Sequence, residues 1–307
     1  MHPAKSIIFF TTSSGAGFGL IFVISLLLFL DPASASGGMI LPSFLAVMLA
    51  SAGLFSSLLH LGNPQRAWRA LSQWQSSWLS REGVLAILTL GLFIIWLYML
   101  VMHALLIPWL SLLIALSAAA TVFATAMIYA QLRPVPRWHT ALTPLCYLGF
   151  AMSSGGALLL IFAPDSGLSS YVLGGIVLAW MVKLAWWLRA DKTTRGGAAG
   201  SSMKTATGLT EFAEVKLLER PHMTKNYLMK EMMFSVGRKH LRRLRQIAII
   251  IGGILPVALI GLSAGYIGFA LSLVVLASGA HLLGLLVERW LFFAEAEHVV
   301  GFYYGHQ

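Results

Sequence analysis

One group of residues early in the chain has the types and spacing that quinone chemistry requires. His60 is followed by a helix-breaking Gly-Asn-Pro run, then by Arg66 and Arg69, and finally by the adjacent pair Arg81 and Glu82. Interconverting a quinone and a quinol moves both electrons and protons, so the protein must hydrogen-bond the ring oxygens and lead protons to water. Imidazole and carboxylate groups carry protons, and a guanidinium stabilises negative charge that develops on the ring.

The same residues also have a plainer interpretation. Arg66, Arg69 and Arg81 are the kind of cations that flank membrane spans on their positive side. Glu82 suits the first turn of a helix whose N-cap is Ser80, where a carboxylate complements the helix dipole. Spacing alone leaves both interpretations open. The aromatic residues of this segment suit a membrane interface, and they are Trp68, Trp74 and Trp78.

Composition indicates that the elements around this group lie in a membrane. Of the 307 residues, 58% are hydrophobic and 10% are charged, whereas soluble domains are about 45–50% apolar and about 25% charged. These values argue against a soluble enzyme, a disordered protein and a disulfide scaffold. The predicted fold class is all-α, a polytopic membrane protein with eight transmembrane helices in a single integral-membrane domain, residues 1–307. The predicted spans are 7–30, 39–59, 83–106, 109–131, 141–163, 170–188, 247–265 and 267–287.

Charge predicts the topology of these spans. The basic residues of the connections all fall on one side, and the other side has Asp31 and Asp165 but no Lys or Arg. The positive-inside rule places the basic side and both termini in the cytoplasm. Lys183 lies within the sixth predicted span, and we expect its side chain to snorkel to the cytoplasmic end.

The longest connection is predicted to be a cytoplasmic basic loop over residues 190–246. Segment 189–245 holds 13 of the 21 Lys and Arg residues and five acids, which gives it a net charge of +8. It has no helix-turn-helix, zinc-finger or aromatic-interleaved pattern, so we expect no nucleic acid as a partner. Apolar spacing over 228–247 is typical of an amphipathic helix on lipid headgroups, and the loop equally suits docking of a cytoplasmic partner.

Haem and metal chemistry have less support. Nine histidines allow a bis-histidine haem in principle, but His103, His139 and His281 form no matched pair, so we expect no haem. His281 is interpreted instead as a hydrogen-bonded packing residue. Cys146 is the only cysteine, which excludes a Cys-ligated iron–sulfur cluster in this chain, and no metal site is predicted.

Two further features concern the packing of the spans. Glu288, Glu295 and His298 follow the eighth predicted span; they either line a proton or quinone entrance or belong to a solvated amphipathic tail, which we favour. Glycines inside the first and fifth spans predict close helix packing, and they are Gly15, Gly17, Gly19, Gly155 and Gly156.

Several runs of residues carry a resemblance to a known family. Residues 59–71 contain H-L-G-x-P-x-R-A, and residues 77–82 contain L-S-x-E. Together with the runs 135–144 and 289–293, these motifs resemble the membrane-anchor subunit of the dimethyl sulfoxide reductase family (DmsC-like), and the resemblance covers nearly the whole chain. Within that family, it is most similar to the anchors of cytoplasmic sulfite-oxidising enzymes (SoeC-like). The runs that carry this closer similarity are 68–74, 226–232 and 238–240.

The resemblance implies a specific function. It implies an anchor in the bacterial inner membrane that holds a molybdopterin catalytic subunit and an iron–sulfur subunit on the cytoplasmic face, and exchanges electrons with ubiquinone or menaquinone. The family's quinol-site residues fall on His60, Arg66 and Glu82, and the anchor itself carries no haem or iron–sulfur cluster. We expect the remaining quinone-binding residues to be Arg69, Trp78 and Arg81.

The expected activity is sulfite oxidation with quinone reduction, in which this chain is the non-molybdenum subunit of the oxidoreductase. Three alternatives stay open. The chain is a quinol-oxidising anchor of a dimethyl sulfoxide reductase, a purely structural anchor with quinone bound elsewhere, or an ion-translocating subunit. The sequence decides neither the direction of electron flow nor the type of quinone.

Overall fold

A computed structural model describes residues 4–34, 37–58, 63–163, 167–195, 203–211, 215, 218, 240–263 and 265–299 of the chain. Eight of its helices are long and apolar enough to cross a membrane, which confirms the predicted number of spans. They are α1 (Lys5–Leu30), α2 (Ile40–Leu58), α3 (Trp78–His103), α4 (Pro108–Ala130), α5 (Leu142–Phe162), α6 (Ser169–Arg195), α7 (Leu241–Ser263) and α8 (Ala270–Ala294).

Four helices extend at least five residues beyond the predicted apolar stretches. α3 begins at Trp78, α6 continues to Arg195, α7 begins at Leu241 and α8 continues to Ala294. Polar residues can continue a helix into the headgroup region, because the helix keeps the backbone N–H and C=O groups paired there. The amphipathic helix predicted over 228–247 lies largely outside the described residues, and its described end forms the first turns of α7.

α1 lies at the centre of the bundle. It packs against α2, α4, α5 and α8, whereas α3 packs on α4, α6 on α5 and α7 on α8. The crossing of α1 and α5 is so close that only glycine fits, since a Cβ on Gly19 would lie 1.8 Å from the carbonyl oxygen of Ala151. The predicted close packing is confirmed for Gly17, Gly19, Gly155 and Gly156.

α7 contains one π turn, Ile250–Ile254, and a proline accounts for it. Pro256 has no N–H to offer the carbonyl group of Gly252, four residues earlier. Trp180 Nε1 and His281 Nδ1 hydrogen-bond to that carbonyl oxygen instead, at 2.9 Å and 2.6 Å. His281 is fully buried with both ring nitrogens within hydrogen-bonding distance of a partner, which confirms its predicted role in packing.

One end of the bundle is where the odd-numbered helices begin and the even-numbered helices finish. The hydroxyl of Ser56 near the end of α2 donates to the carbonyl oxygen of Ser6 near the start of α1, at 3.0 Å. Arg245 at the start of α7 likewise contacts Asp191 near the end of α6. We call this end, which also carries Arg81, the basic end. Its orientation across the membrane stays a prediction.

Candidate functional site

The helix-breaking run of the connection between α2 and α3 leads into a 3-10 helix, Pro64–Gln73. Arg66 and Arg69 are both exposed on it, and the Arg69 guanidinium lies 5.4 Å from the centroid of the Trp68 ring. Within the described part of the chain, no hydrogen bond or ion pair joins either arginine to Glu82. His60 lies outside the described residues, so its position relative to Glu82 stays a prediction.

Arg81 fastens this connection to the start of α3. Its Nε and Nη2 donate to the carbonyl oxygens of Trp74 and Gln75, at 2.9 Å and 2.6 Å. Its guanidinium also lies 4.4 Å from the centroid of the Trp78 ring, a distance at which a cation is attracted to the ring face. The edge of the Trp78 ring in turn meets Phe123 of α4. Through these contacts Arg81 and Trp78 hold the connection, the start of α3 and α4 together close to the candidate site.

Glu82 alone among the described candidate site residues is buried, with 4% of its surface exposed. Its Oε1 makes a very short contact with the hydroxyl of Thr125 of α4, which also lies 3.1 Å from the carbonyl oxygen of Thr121. The prediction that Ser80 is the N-cap of α3 is wrong. The helix begins one turn earlier, and the cap is Ser77, whose hydroxyl accepts the Ser80 N–H at 3.5 Å. Glu82 therefore enters the bundle instead of staying at the helix start.

Thr125 also lines a cavity between α1, α4, α5 and α8. The cavity has about 400 Å³ of empty space when its open side is included, and its enclosed part is water-sized. Gly15 lines it and would have no atom within 4 Å of an added Cβ, so the prediction of close packing is wrong for this glycine. The polar residues that line the cavity include Thr12, Ser14, Thr125, Tyr147, Ser154 and Arg289.

A second buried polar group was not predicted, and we call it the buried triad: Lys183 of α6 with Glu288 and Arg289 of α8. Lys183 Nζ lies 2.5 Å from Glu288 Oε1, and both residues are 0% exposed. Arg289 Nε lies 3.3 Å from Glu288 Oε2. The expectation that Lys183 snorkels outward is wrong, because an acid and the Trp186 ring, 3.9 Å away, compensate its charge inside the bundle.

A third group, the surface clamp, consists of Arg137, Asp191, Arg245 and Glu295 and ties together the helix ends at the basic end. Arg245 contacts both oxygens of Asp191 at 2.7 and 2.9 Å and both oxygens of Glu295 at 2.7 and 2.9 Å. Arg137 contacts the same two acids at 3.4 and 3.2 Å. Glu295 is 4% exposed, so the favoured interpretation of a solvated tail is wrong for it, as it is for Glu288.

His298, the last residue of that predicted tail, follows the eighth span and is partly buried. Removal of its ring from water lowers the pKa of His298 below its usual value. It therefore also differs from a residue of a fully solvated tail, while its part in a proton or quinone entrance stays a prediction.

Comparison with known proteins shows the family of the chain. Residues 1–294 match the model of the family described as DMSO reductase anchor subunit (DmsC). The chain is also similar to a sulfite dehydrogenase subunit of Allochromatium vinosum, with 33% identity over an alignment that covers 99% of each protein. No solved structure matches the chain. The chain therefore belongs to the family of dimethyl sulfoxide reductase anchor subunits, multi-pass membrane proteins that are subunits of oxidoreductase complexes.

Proposed function

We propose that this chain is the quinone-reactive membrane anchor of a heterotrimeric molybdopterin and iron–sulfur oxidoreductase, and that it passes electrons from the iron–sulfur subunit to quinone during sulfite oxidation. The observation that supports quinone reactivity is Glu82, a buried carboxyl whose hydrogen-bond partner, Thr125, also lines a polar cavity between the helices. Similarity to a sulfite dehydrogenase subunit supports sulfite as the source of electrons.

Glu82 is placed to hold and pass a proton. The Thr125 hydroxyl has a single proton and two oxygen neighbours, Glu82 Oε1 and the carbonyl oxygen of Thr121. A proton on the Glu82 carboxyl turns both contacts into hydrogen bonds. Because Glu82 is only four residues inside the start of α3, it can exchange that proton with water at the basic end. His60 is the second candidate for proton transfer, and Arg66 the candidate counter-charge.

The proposal includes an orientation and two partner subunits. The basic end faces the cytoplasm of a bacterium, because Lys and Arg are retained on that side of the inner membrane. Both termini then lie in the cytoplasm as well. The iron–sulfur subunit and the molybdopterin subunit dock at the basic end, which brings the last iron–sulfur cluster close to Glu82. Bound quinone, either ubiquinone or menaquinone, supplies the two-electron, two-proton chemistry, and the buried polar groups around Thr125 are of the kind that hydrogen-bond a carbonyl oxygen.

Substitution Glu82→Gln in the intact purified complex tests the proposal. We expect quinone-linked sulfite oxidation to fall by about 10²-fold or more, because a positioned acid–base group contributes about that much to proton transfer. Sulfite oxidation with an artificial acceptor, which takes electrons before the anchor, should stay unchanged. Glu211→Gln, at an exposed glutamate of the long connection, is the matched control and should change neither activity. Wild-type quinone turnover in Glu82→Gln would overturn the assignment.

The direction of electron flow is tested in the same preparation. A quinol-oxidising anchor, the alternative that the family description raises, would support quinol-dependent reduction of dimethyl sulfoxide and little oxidation of sulfite. We expect instead that the complex oxidises sulfite rapidly and shows little quinol-dependent reduction of dimethyl sulfoxide.

One observation favours a second candidate function, ion translocation. Lys183 and Glu288 are fully buried charges inside two membrane-spanning helices, which is the kind of residue that marks an ion path. If the complex translocates ions, proteoliposomes that contain it would move more protons across the membrane per quinone than the quinone reaction itself takes up and releases. A stoichiometry equal to that of the quinone reaction would leave electron transfer as the function.

A further inference from the structure

The cavity between α1, α4, α5 and α8 contains polar atoms that the protein itself leaves unsatisfied. Within the described residues, Thr12 Oγ1, Tyr147 Oη and Arg289 Nη1 are buried and have no partner at hydrogen-bond distance and angle, although the Tyr147 and Arg289 side chains lie close enough to interact with each other, and all three residues line the cavity. Tyr147 is 4% and Arg289 is 3% exposed. Leaving such atoms unpaired in a membrane interior is costly, so a ligand or water that pairs with them is favoured.

The charge around the cavity specifies what kind of ligand atom fits. The buried triad contains two cations and one anion, and Lys183 and Arg289 share Glu288 as their acid. Within the triad itself, one positive charge therefore has no acid of its own. The guanidinium carbon of Arg289 lies 3.8 Å from the centroid of the Tyr147 ring, which holds the two donor groups together. This arrangement favours an oxygen that is a hydrogen-bond acceptor and gains negative charge during a reaction.

Another residue that lines the cavity leads to a proton carrier. Thr125 lines the cavity and is the residue that contacts Glu82. The enclosed space is about the size of a water molecule, so it accepts a single carbonyl oxygen, with the ring that bears this oxygen at the open side. The same space is therefore lined by hydrogen-bond donors and by the residue that contacts a proton carrier.

We propose that this cavity binds one carbonyl oxygen of the quinone, with Arg289 and Tyr147 as its hydrogen-bond donors. The inference rests on the proposed function and assigns two binding residues to it. During reduction the iron–sulfur partner gives two electrons to the quinone, the ring oxygens take up two protons, one from Glu82 and one from water, and quinol leaves. Arg289 and Tyr147 stabilise the charge that develops on the bound oxygen, and Glu82 delivers its proton through Thr125. Quinol oxidation is the same step in reverse.

Tyr147→Phe in the intact complex removes one donor and leaves the ring in place. Loss of one hydrogen bond to the ligand should raise the KM for a short-chain ubiquinone about 3- to 10-fold, with sulfite oxidation by an artificial acceptor unchanged. Tyr129→Phe is the matched control, because Tyr129 stacks on Tyr147 with ring centroids 5.9 Å apart and does not line the cavity. It should leave the KM unchanged.

Gly15→Leu tests the same site without removing any polar group. The added side chain would enter the open space at Gly15 and fill the cavity, so we expect quinone-linked turnover to fall at least tenfold. Gly91→Leu is the control, because Gly91 of α3 also has nothing within 4 Å of an added Cβ and does not line the cavity. If Tyr147→Phe failed to assemble, this pair of variants would still decide the inference.

Photolabelling with a short-chain azido-ubiquinone separates this inference from the proposed function. Label on peptides that contain Gly15 or Tyr147, together with the expected kinetic changes, would support the cavity. Label only on peptides from 63–82, with Tyr147→Phe and Gly15→Leu both at wild-type KM, would overturn the cavity and leave the proposed function standing. A lower kcat with no label at the cavity would mean that only water occupies it, which also overturns the inference. Absence of quinone-linked turnover in the wild-type complex would overturn the proposed function itself.

Discussion

Two clusters of charged residues lie close together on the same helices, and they are built in opposite ways. Glu288 of the buried triad and Glu295 of the surface clamp are seven residues apart on and just after α8, a rise of about 10 Å along a helix. The clamp has two cations and two acids, and Arg245 alone makes four hydrogen bonds in it. The triad has two cations, one acid and several buried atoms without hydrogen bonds.

The difference separates a structural role from a functional one. A charge-balanced cluster in which both acids are paired holds the ends of α6, α7 and α8 together and, with Arg137 Nε as its one buried atom without a hydrogen bond among the described residues, has little remaining capacity for a ligand. A cluster with excess positive charge still has hydrogen-bond donors without partners. A bound anion or hydrogen-bond acceptor stabilises such a cluster. Aromatic rings separate the two, since Trp187 lies 4.9 Å from Lys183 Nζ on one side and 5.2 Å from Arg245 Cζ on the other.

The largest expected effect comes from removing the acid of the triad. Glu288→Gln leaves Lys183 and Arg289 as two buried cations without a counter-charge, and we expect a loss of about 3–5 kcal/mol, seen as low yield and a lower thermal midpoint of the purified complex. Lys183→Met is the informative counterpart, because it leaves a balanced Glu288–Arg289 pair. Its midpoint should stay close to wild type.

The difference in thermal midpoint between Glu288→Gln and Lys183→Met tests whether the triad contains two cations that share one acid. If Lys183→Met were as damaging as Glu288→Gln, Glu288 would depend on Lys183 alone, and Arg289 would contribute no compensating charge. The description of Glu288 as one acid shared by two cations would then be wrong, and the distinction between the two clusters would fail.

A smaller effect is expected at the clamp. Arg245→Gln removes the residue that bridges Asp191 and Glu295, but Arg137 still contacts both acids and Asp191 is partly exposed, with 35% of its side chain accessible. We expect a loss of about 1–3 kcal/mol in thermal stability and no change in the KM for quinone. Arg245→Lys should recover only part of the stability, since lysine cannot make the paired contacts. A changed quinone KM would instead link the clamp to the site.

The number of spans and the burial of His281 could be predicted because they depend on local composition. Each span is a continuous apolar stretch of bilayer length, and His281 is a single polar side chain deep inside one of them. Glu82 was predicted as a site residue from its neighbours at the start of α3. The burial of Glu82 inside the bundle was not predicted, because the N-cap of α3 is Ser77 and the helix therefore begins one turn earlier than expected.

The triad and the cavity could not be predicted from local composition. The spans are apolar on nearly all sides, so the sequence pattern does not determine which face of a helix turns inward. Lys183 and Glu288 are 105 positions apart, and their pairing depends on the rotation of α6 and α8. A signal existed in the residue types, because a lysine within one span requires an acid from another, and Glu288 adjoins the eighth predicted span. The cavity depends on how α1 crosses α5, which tertiary packing decides.

The smallest expected effect, the response to salt, distinguishes the clusters in the wild-type complex. Salt shortens the range of electrostatic interaction to about 3 Å at 1 M, but it screens exposed pairs far more than buried ones. High salt should therefore cost the clamp about 0.5 kcal/mol through its partly exposed Asp191 and leave the triad unaffected. A thermal midpoint measured at low and high salt should shift slightly for wild type and for Lys183→Met, and much less for Arg245→Gln. If Arg245→Gln kept the full salt response, the sensitivity would arise elsewhere, and the clamp would be as well shielded from solvent as the triad.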